Sequence, residues 1–327
     1  MSPLKIVFLG SDPIALPLLE WLAGAGSGVG CVCAVFTQPD RPAGRGQKIL
    51  PNAIKVWALA RGLPVLQPEK LTESVRADLA AIGADVALVM AYGHILRDEF
   101  IATPRLGTLN LHASILPYFR GASPIQTAIA TGASETGATL MRIVRRLDAG
   151  PVADVERVPI APLDTALDVE AKLAAAGVPL LARALPQLRE GSLAFAEQDD
   201  DAATYCRRLG KEDGVLDFHA SAAVLAARIN GLFPWPACTI EVNGQSTKLG
   251  NADAIAGAGR PGEVAGADAE GLIVGTGSGL LRLRRMQRPG GKMLTAAEFL
   301  RGFTVAAGTP IESRPMPPLV GSEPFRR

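Results

Sequence analysis

A five-residue run, Thr108-Leu109-Asn110-Leu111-His112, alternates apolar and polar side chains. That period of two sends Leu109 and Leu111 to one face of a strand and Asn110 and His112 to the other. A carboxamide beside an imidazole suits the stabilisation of a developing oxyanion and the movement of a proton. Downstream, Leu147-Asp148-Ala149-Gly150 puts a carboxylate in a turn after the apolar stretch 139–144. A carboxylate next to an imidazole favours its charged form. The set fits acyl transfer by direct attack of an amine on a carbonyl carbon. Asn110 would donate an N–H to the oxygen that turns negative. His112 would share that charge and pass a proton to the leaving nitrogen, with Asp148 tuning His112. No serine or cysteine sits in a nucleophile elbow, so no covalent intermediate is expected. Taken singly, each residue has a plainer role: a core histidine, a loop cap, an Asp-Gly-type turn. The case rests on the three together, and on His112 being one of only three histidines.

The first half of the chain is built to hold such a strand end. Lys5–Leu9, Val29–Thr37 and Val86–Ala91 are continuous apolar runs, as in parallel strands covered on both faces. Ala15–Ala25, Asn52–Arg61 and Thr72–Ile82 carry helical spacing or composition between them. The alternation predicts an α/β fold with a doubly wound, mostly parallel sheet, in which ligands bind beyond the carboxyl ends of the strands. The loop Ser114-Ile115-Leu116-Pro117-Tyr118-Phe119-Arg120-Gly121 is too apolar for a solvent turn and could wall a flat aromatic ligand. Leu167–Arg189 reads as one or more helices broken at Pro179 and Pro186. The polar stretch 191–207, with Asp199-Asp200-Asp201, reads as a linker. The sequence therefore divides into 1–190, a linker 191–207, and 208–327. In the last part Asn243-Gly244, flanked by Cys238–Val242 and Gln245–Leu249, is a two-residue hairpin signal. With Val264, Leu272–Val274 and Leu280–Met286 it predicts a small antiparallel β-barrel.

Composition removes several classes. Hydrophobic residues make up 48% and charged residues 20%, with a net charge of only +1, so any nucleic-acid contact must come from local clusters. No 18-residue apolar run predicts a membrane span, and the N-terminus has no leader pattern. Cys31, Cys33, Cys206 and Cys238 form no CxxC pair and join no histidine cluster, so no metal is expected. Reduced structural thiols in a cytoplasmic protein are the expectation. Gly10-Ser11-Asp12-Pro13 lacks the glycine fingerprint of a dinucleotide site.

Asn110-Leu111-His112, Ser114-Ile115-Leu116-Pro117, Arg120-Gly121 and the later Asp148 resemble the folate-dependent formyltransferase superfamily, over roughly the first 190 residues. The resemblance implies a formyltransferase-type, Rossmann-like domain, with Asn110, His112 and Asp148 as the catalytic trio. It also implies 10-formyltetrahydrofolate as donor, its pteridine lined by Ser114, Ile115, Leu116, Pro117, Ala91, Tyr92 and Gly93. A second motif, Phe36-Thr37-Gln38-Pro39-Asp40-Arg41-Pro42-Ala43-Gly44-Arg45-Gly46-Gln47-Lys48, is similar to the signature loop of those members that formylate initiator methionyl-tRNA. Arg41, Arg45 and Lys48 on such a loop suit phosphates or unstacked bases at an acceptor end. Asn230-Gly231-Leu232-Phe233-Pro234-Trp235-Pro236 resembles the entry to that family's oligonucleotide-binding (OB-like) barrel, with Phe233 in place of a smaller polar residue. There the resemblance points to Lys211. The strand pattern adds Arg282 and Arg284 on one face, within a basic cluster that continues to Arg285, Arg288 and Lys292. The implied partner is initiator methionyl-tRNA, and the implied state a monomer.

Other acceptors stay open at this level: an amino sugar, glycinamide ribonucleotide, or water in a formyl-folate hydrolase. The Pro39–Lys48 loop and the barrel argue against them. A nicotinamide-dependent dehydrogenase shares only the α/β alternation. A non-catalytic RNA-binding protein would not need the trio.

Overall fold

The computed structural model describes residues 2–43 and 48–325. Two compact units emerge. The first runs to Arg120 and adds Gly137–Val158 and Ala171–Ala203; the second takes Gly121–Thr136, Pro159–Glu170 and the chain from Thr204 onward. The polar stretch 191–207 is thus shared between them, with 191–203 packed into the first.

The first unit is built on a seven-stranded sheet. From one edge its order is Val152–Pro159, Glu135–Arg142, Thr108–His112, Val86–Met90, Leu4–Gly10, Gly30–Phe36 and Val65–Leu66. Neighbours from Thr108–His112 to Val65–Leu66 run parallel, and Thr108–His112 meets Glu135–Arg142 antiparallel. The central strand Leu4–Gly10 has no exposed surface at Ile6, Val7, Phe8 or Leu9, which is why its sequence does not alternate. On one face Val7, Leu9, Phe36, Val89, Tyr92 and Phe100 form a core, with Phe36 and Phe100 edge to face at 6.1 Å. The chain leaves Leu4–Gly10 toward one edge and returns through Val86–Met90 toward the other. The switch point therefore lies between these two strands, where such sheets open a crevice at their carboxyl ends.

Helices form where the sequence caps them. Asn52 accepts from the Lys55 N–H at 3.0 Å ahead of Ala53–Leu59, and Gly83 (φ +63°) ends Glu73–Ile82 in the left-handed conformation. Pro179 and Pro186 do not break the helix expected around them. Ala166–Glu190 is continuous through both prolines. They are seven residues apart on one face, and the residues four back, Ala175 and Ala182, are exposed. The carbonyls that lose their donors there can turn to water.

In the second unit, Ala222–Leu232 starts at Ser221, whose hydroxyl accepts from the Val224 N–H. It packs closely on the helix Pro124–Ala130: a Cβ on Gly231 would stand 2.4 Å from the Ala130 nitrogen. An antiparallel sheet curls beside it in the order Thr239–Val242, Gln245–Ile255, Leu280–Gln287, Leu272–Gly275 and Val264–Ala267, with Leu294–Thr295 pairing Leu280–Gln287. The two end strands do not pair, so the sheet is an open half-barrel. The Asn243-Gly244 turn has positive φ at both residues, as a two-residue hairpin turn requires. Phe218, Leu225, Ile229, Leu249, Leu281 and Leu283 fill its core.

Among the described residues no helix is long and apolar enough to cross a membrane, and all four cysteines are free thiols.

Candidate active site

Asn110 and His112 occupy the carboxyl end of their strand, one strand away from the switch point. The alternation holds: Leu109 and Leu111 are buried and Asn110 is half-exposed. No described residue hydrogen-bonds the Asn110 carboxamide. His112 is 6% exposed, and its Nε2 lies 3.0 Å from the Phe119 carbonyl. A carbonyl only accepts, so Nε2 is the N–H donor and Nδ1 is left facing Asp148 Oδ2 at 3.8 Å. That separation is too long for a direct hydrogen bond, and the contact is an ion pair only when the ring is protonated. Phe119 (φ +57°) and Asp148 (φ +47°), which bracket the ring, are both in the left-handed region.

Asp148 is held in a turn pressed against the neighbouring strand. A Cβ on Gly150 would lie 2.0 Å from the Arg142 carbonyl oxygen, so only glycine fits that close approach. Arg146, two residues before the aspartate, donates to Asp200 Oδ2 at 2.8 Å. Arg146 and then Arg120 hold the Asp200 carboxyl below the usual carboxylate range.

The loop expected to wall a ligand is stapled from within. The Ser114 hydroxyl donates to the Tyr118 carbonyl at 2.6 Å. Thr139 Oγ1 donates to the Ser114 carbonyl at 2.6 Å and accepts from the Leu116 N–H at 3.2 Å. Ser114 and Leu116 are buried, whereas Ile115 and Pro117 stay half-exposed. Ser114 and Leu116 therefore shape the wall, and Ile115 and Pro117 supply surface.

Ala91-Tyr92-Gly93 follows Val86–Met90 across the switch point, with positive φ at Ala91 and Gly93. The Ser11 N–H donates to the Ala91 carbonyl at 3.1 Å, and Gln38 Nε2 donates to the Tyr92 carbonyl at 3.1 Å. The Tyr92 ring turns into the core, 2% exposed, and burial pushes its phenol up. Its contribution to a ligand wall is therefore confined to the backbone. Sequence reasoning missed Ser11 and Gln38 as site supports. Each lies just beyond a strand's carboxyl end, which is the signal that marks them. Ser11 Oγ also accepts from the Gln38 N–H at 2.9 Å, so the two are linked.

The basic segment after Gly30–Phe36 is a hairpin of two short strands, Arg41–Ala43 and Lys48–Leu50, with Arg41 and Lys48 exposed. Arg45 lies outside the described residues. At its root Lys55 pairs with Asp40 at 2.5 Å, and Gln67 Nε2 donates to the Gln38 carbonyl and to Asp40, both at 2.8 Å.

In the second unit Lys211 is exposed at the start of a short turn of helix, Lys211–Gly214. The turn is fixed by Asp213, which is fully buried and accepts from Arg207 and from the Gly210 N–H. Arg282 and Arg284 do share a face, but both are engaged. Arg282 contacts Asp253, Asp268 and Glu270 at 2.7, 3.1 and 2.5 Å; Arg284 contacts Asp253 and Glu270 at 3.1 and 2.9 Å. Two guanidinium groups thus face three carboxylates. Burial alone pushes the Asp253 carboxyl up, and the two arginines outweigh it, leaving it below its ordinary value. Arg285, Arg288 and Lys292 are exposed. Asn230 clamps the helix to the sheet: its Oδ1 accepts from the Ala252 N–H and its Nδ2 donates to the Ala252 carbonyl, both at 2.9 Å. No group of three or more His, Cys, Asp or Glu among the described residues is arranged to hold a metal.

Known proteins give this geometry its context. The sequence matches the formyl transferase family over residues 4–185 and the formyl transferase C-terminal domain over 208–304. It is 42% identical to a methionyl-tRNA formyltransferase of Aromatoleum aromaticum, over 95% of this chain and 98% of that one. It is also 42% identical to one of Pseudomonas fluorescens, over 91% and 93%. Solved folds agree at lower identity. An N-formyltransferase from Helicobacter canadensis, in complex with folinic acid and dTDP-3-aminofucose, has a TM-score of 0.61 at 17% identity, covering 86% of this chain and 99% of that one. HypX from Aquifex aeolicus, in complex with tetrahydrofolic acid, has a TM-score of 0.62 at 17% identity, covering 91% and 47%. The chain belongs to the methionyl-tRNA formyltransferase family and is a formyl-transferring enzyme.

Proposed function

We propose that the enzyme moves the formyl group of 10-formyltetrahydrofolate onto the amino group of initiator methionyl-tRNA. The observation that carries the mechanism is His112 Nδ1 at 3.8 Å from Asp148 Oδ2, one alternation from an uncommitted Asn110 carboxamide. The methionyl amine attacks the formyl carbon, forming a C–N bond and a tetrahedral centre with charge on oxygen. Asn110 donates an N–H to that oxygen, and His112 shares its charge once its Nε2–H exchanges the Phe119 carbonyl for the substrate. The bond to folate N10 then breaks as that nitrogen gains the proton the amine has lost, relayed by His112 with Asp148 as its counter-charge. The fit to folate rests on two surfaces: half-exposed Ile115 and Pro117 on a loop stapled from within, and the exposed backbone at Ala91 and Gly93.

Catalysis belongs to residues 1–190 in this reading, and 208–327 serves the tRNA. Arg41, Arg45 and Lys48 hold the acceptor end, and Lys211 belongs to the tRNA contacts of the second unit. In the half-barrel, the exposed Arg285, Arg288 and Lys292 are better placed for phosphates than Arg282 and Arg284, whose charges are already matched. The test mixes purified enzyme, 10-formyltetrahydrofolate and charged initiator tRNA. Formylmethionyl-tRNA should accumulate, with no comparable product from a nucleotide-linked amino sugar or glycinamide ribonucleotide. Faster formylation of either small acceptor, or simple hydrolysis of the donor, would overturn the assignment.

A further inference from the structure

Behind the Asp148 turn lies a layer of side chains outside the catalytic trio. Arg120 has no exposed surface. Its Nε and Nη2 donate to Gln198 Oε1 at 3.0 and 2.8 Å, and its Nη1 donates to Asp200 Oδ1 at 2.9 Å. Gln198 Nε2 in turn donates to the Asp148 carbonyl at 2.9 Å and the Gly150 carbonyl at 2.7 Å. The orientation of this amide follows from its partners, since a guanidinium only donates and a carbonyl only accepts. One side-chain amide therefore links a buried cation to the two carbonyls that flank the Asp148 turn.

The segment carrying Gln198 is itself fixed. Ala196 exchanges both backbone hydrogen bonds with Val152 at 2.8 Å, and the Phe195 ring lies under the Arg142 guanidinium at 4.2 Å. Arg142 is also the residue whose carbonyl presses on Gly150. The turn is thus held between the sheet on one side and Gln198 on the other. This matters because Asp148 has positive φ, a conformation that a non-glycine residue keeps only where its surroundings hold it. Without the amide, the turn has reason to relax and carry its carboxylate away from His112.

We propose that Gln198, oriented by Arg120, is a positioning residue that fixes the Asp148 carboxylate beside His112. The proposal rests on the reading of Asp148 as the partner of His112. It explains why a polar segment far along the chain is packed into the first unit.

Gln198→Glu tests it with minimal change in shape, because both acceptors for Arg120 stay while both donors to the turn are lost. A misplacement of about 1 Å can cost on the order of 10²-fold. Q198E should lose kcat by 10- to 100-fold, with KM for donor and tRNA within about twofold and Tm within a few degrees. In the Asp148→Asn background the same change should cost nothing further, since residues acting as a unit are not additive. Unchanged kcat in Q198E would overturn the proposal, as would a loss that adds in full to that of D148N. If D148N itself kept its full rate, the role of Asp148 would fall and this inference with it. If only Q198E kept its rate, the inference alone would fall. Should Q198E fail to fold, Gln198→Asn, the same amide one methylene shorter, carries the same expectations.

Discussion

Two strands of this protein present alternating polar side chains, and the fold uses them in opposite ways. Asn110 and His112 sit at the carboxyl end of a strand beside the switch point of a parallel sheet. There the next residues are loops: the Asn110 carboxamide has no hydrogen-bond partner among the described residues, and the His112 ring is held only by the Phe119 carbonyl and faces Asp148. Arg282 and Arg284 lie within an antiparallel strand whose neighbours supply Asp253, Asp268 and Glu270. Their charges are met inside the protein. On the proposed mechanism the same period of two marks a reactive edge in one place, and in the other it marks an ion network. What decides is whether the polar pair stands at the end of its strand or in the middle.

The strongest way to break this contrast is His112→Ala. If the strand end is the reactive edge, kcat should fall by roughly 10³-fold, within the span of acid–base and oxyanion effects, with donor and tRNA binding changed less than about twofold. Measured turnover near wild type would remove the distinction at its active half. The converse is Arg282→Met, which removes one cation from a set of three carboxylates. It should lower Tm by a few degrees and leave the salt dependence of tRNA binding as it was. Arg285→Ala or Lys292→Ala should do the reverse, keeping Tm and reducing the slope of log affinity against log salt by about 1. A lowered slope in R282M at constant Tm would show that the engaged arginine reaches phosphate after all.

The legibility of these features followed their range in sequence. The central strands, the Thr108–His112 alternation and the Asn243-Gly244 turn were readable because each depends on neighbours only a few residues away. The continuous helix Ala166–Glu190 was not, since local rules for proline do not know that Ala175 and Ala182 face water. The engagement of Arg282 by Asp253, 29 residues earlier, and of Arg120 by Gln198, 78 residues later, leaves no periodic trace. A buried guanidinium announces itself only once its partners are in place. Tyr92 entered the ligand wall through the resemblance, and nothing in the neighbouring sequence reveals that its ring turns into the core.

The smallest expected effect sharpens the ion-network half. Asp253 has a carboxyl held below its ordinary value by Arg282 and Arg284, against the opposing push of burial. A depressed folded-state pKa means that the protein gains stability from ionised Asp253 at pH values above the unfolded value, about 3.9 for aspartate. That gain is lost as pH falls through the lower folded value. The Tm difference between wild type and Asp253→Asn should therefore be constant from about pH 7 down to pH 5 and should shrink only below about pH 4. A difference that faded between pH 7 and pH 5 would mean that another group, such as a histidine, carries the effect. A difference absent at every pH would mean that the two arginines gain nothing from the carboxylate they share, and the contrast with the strand end would rest on geometry alone.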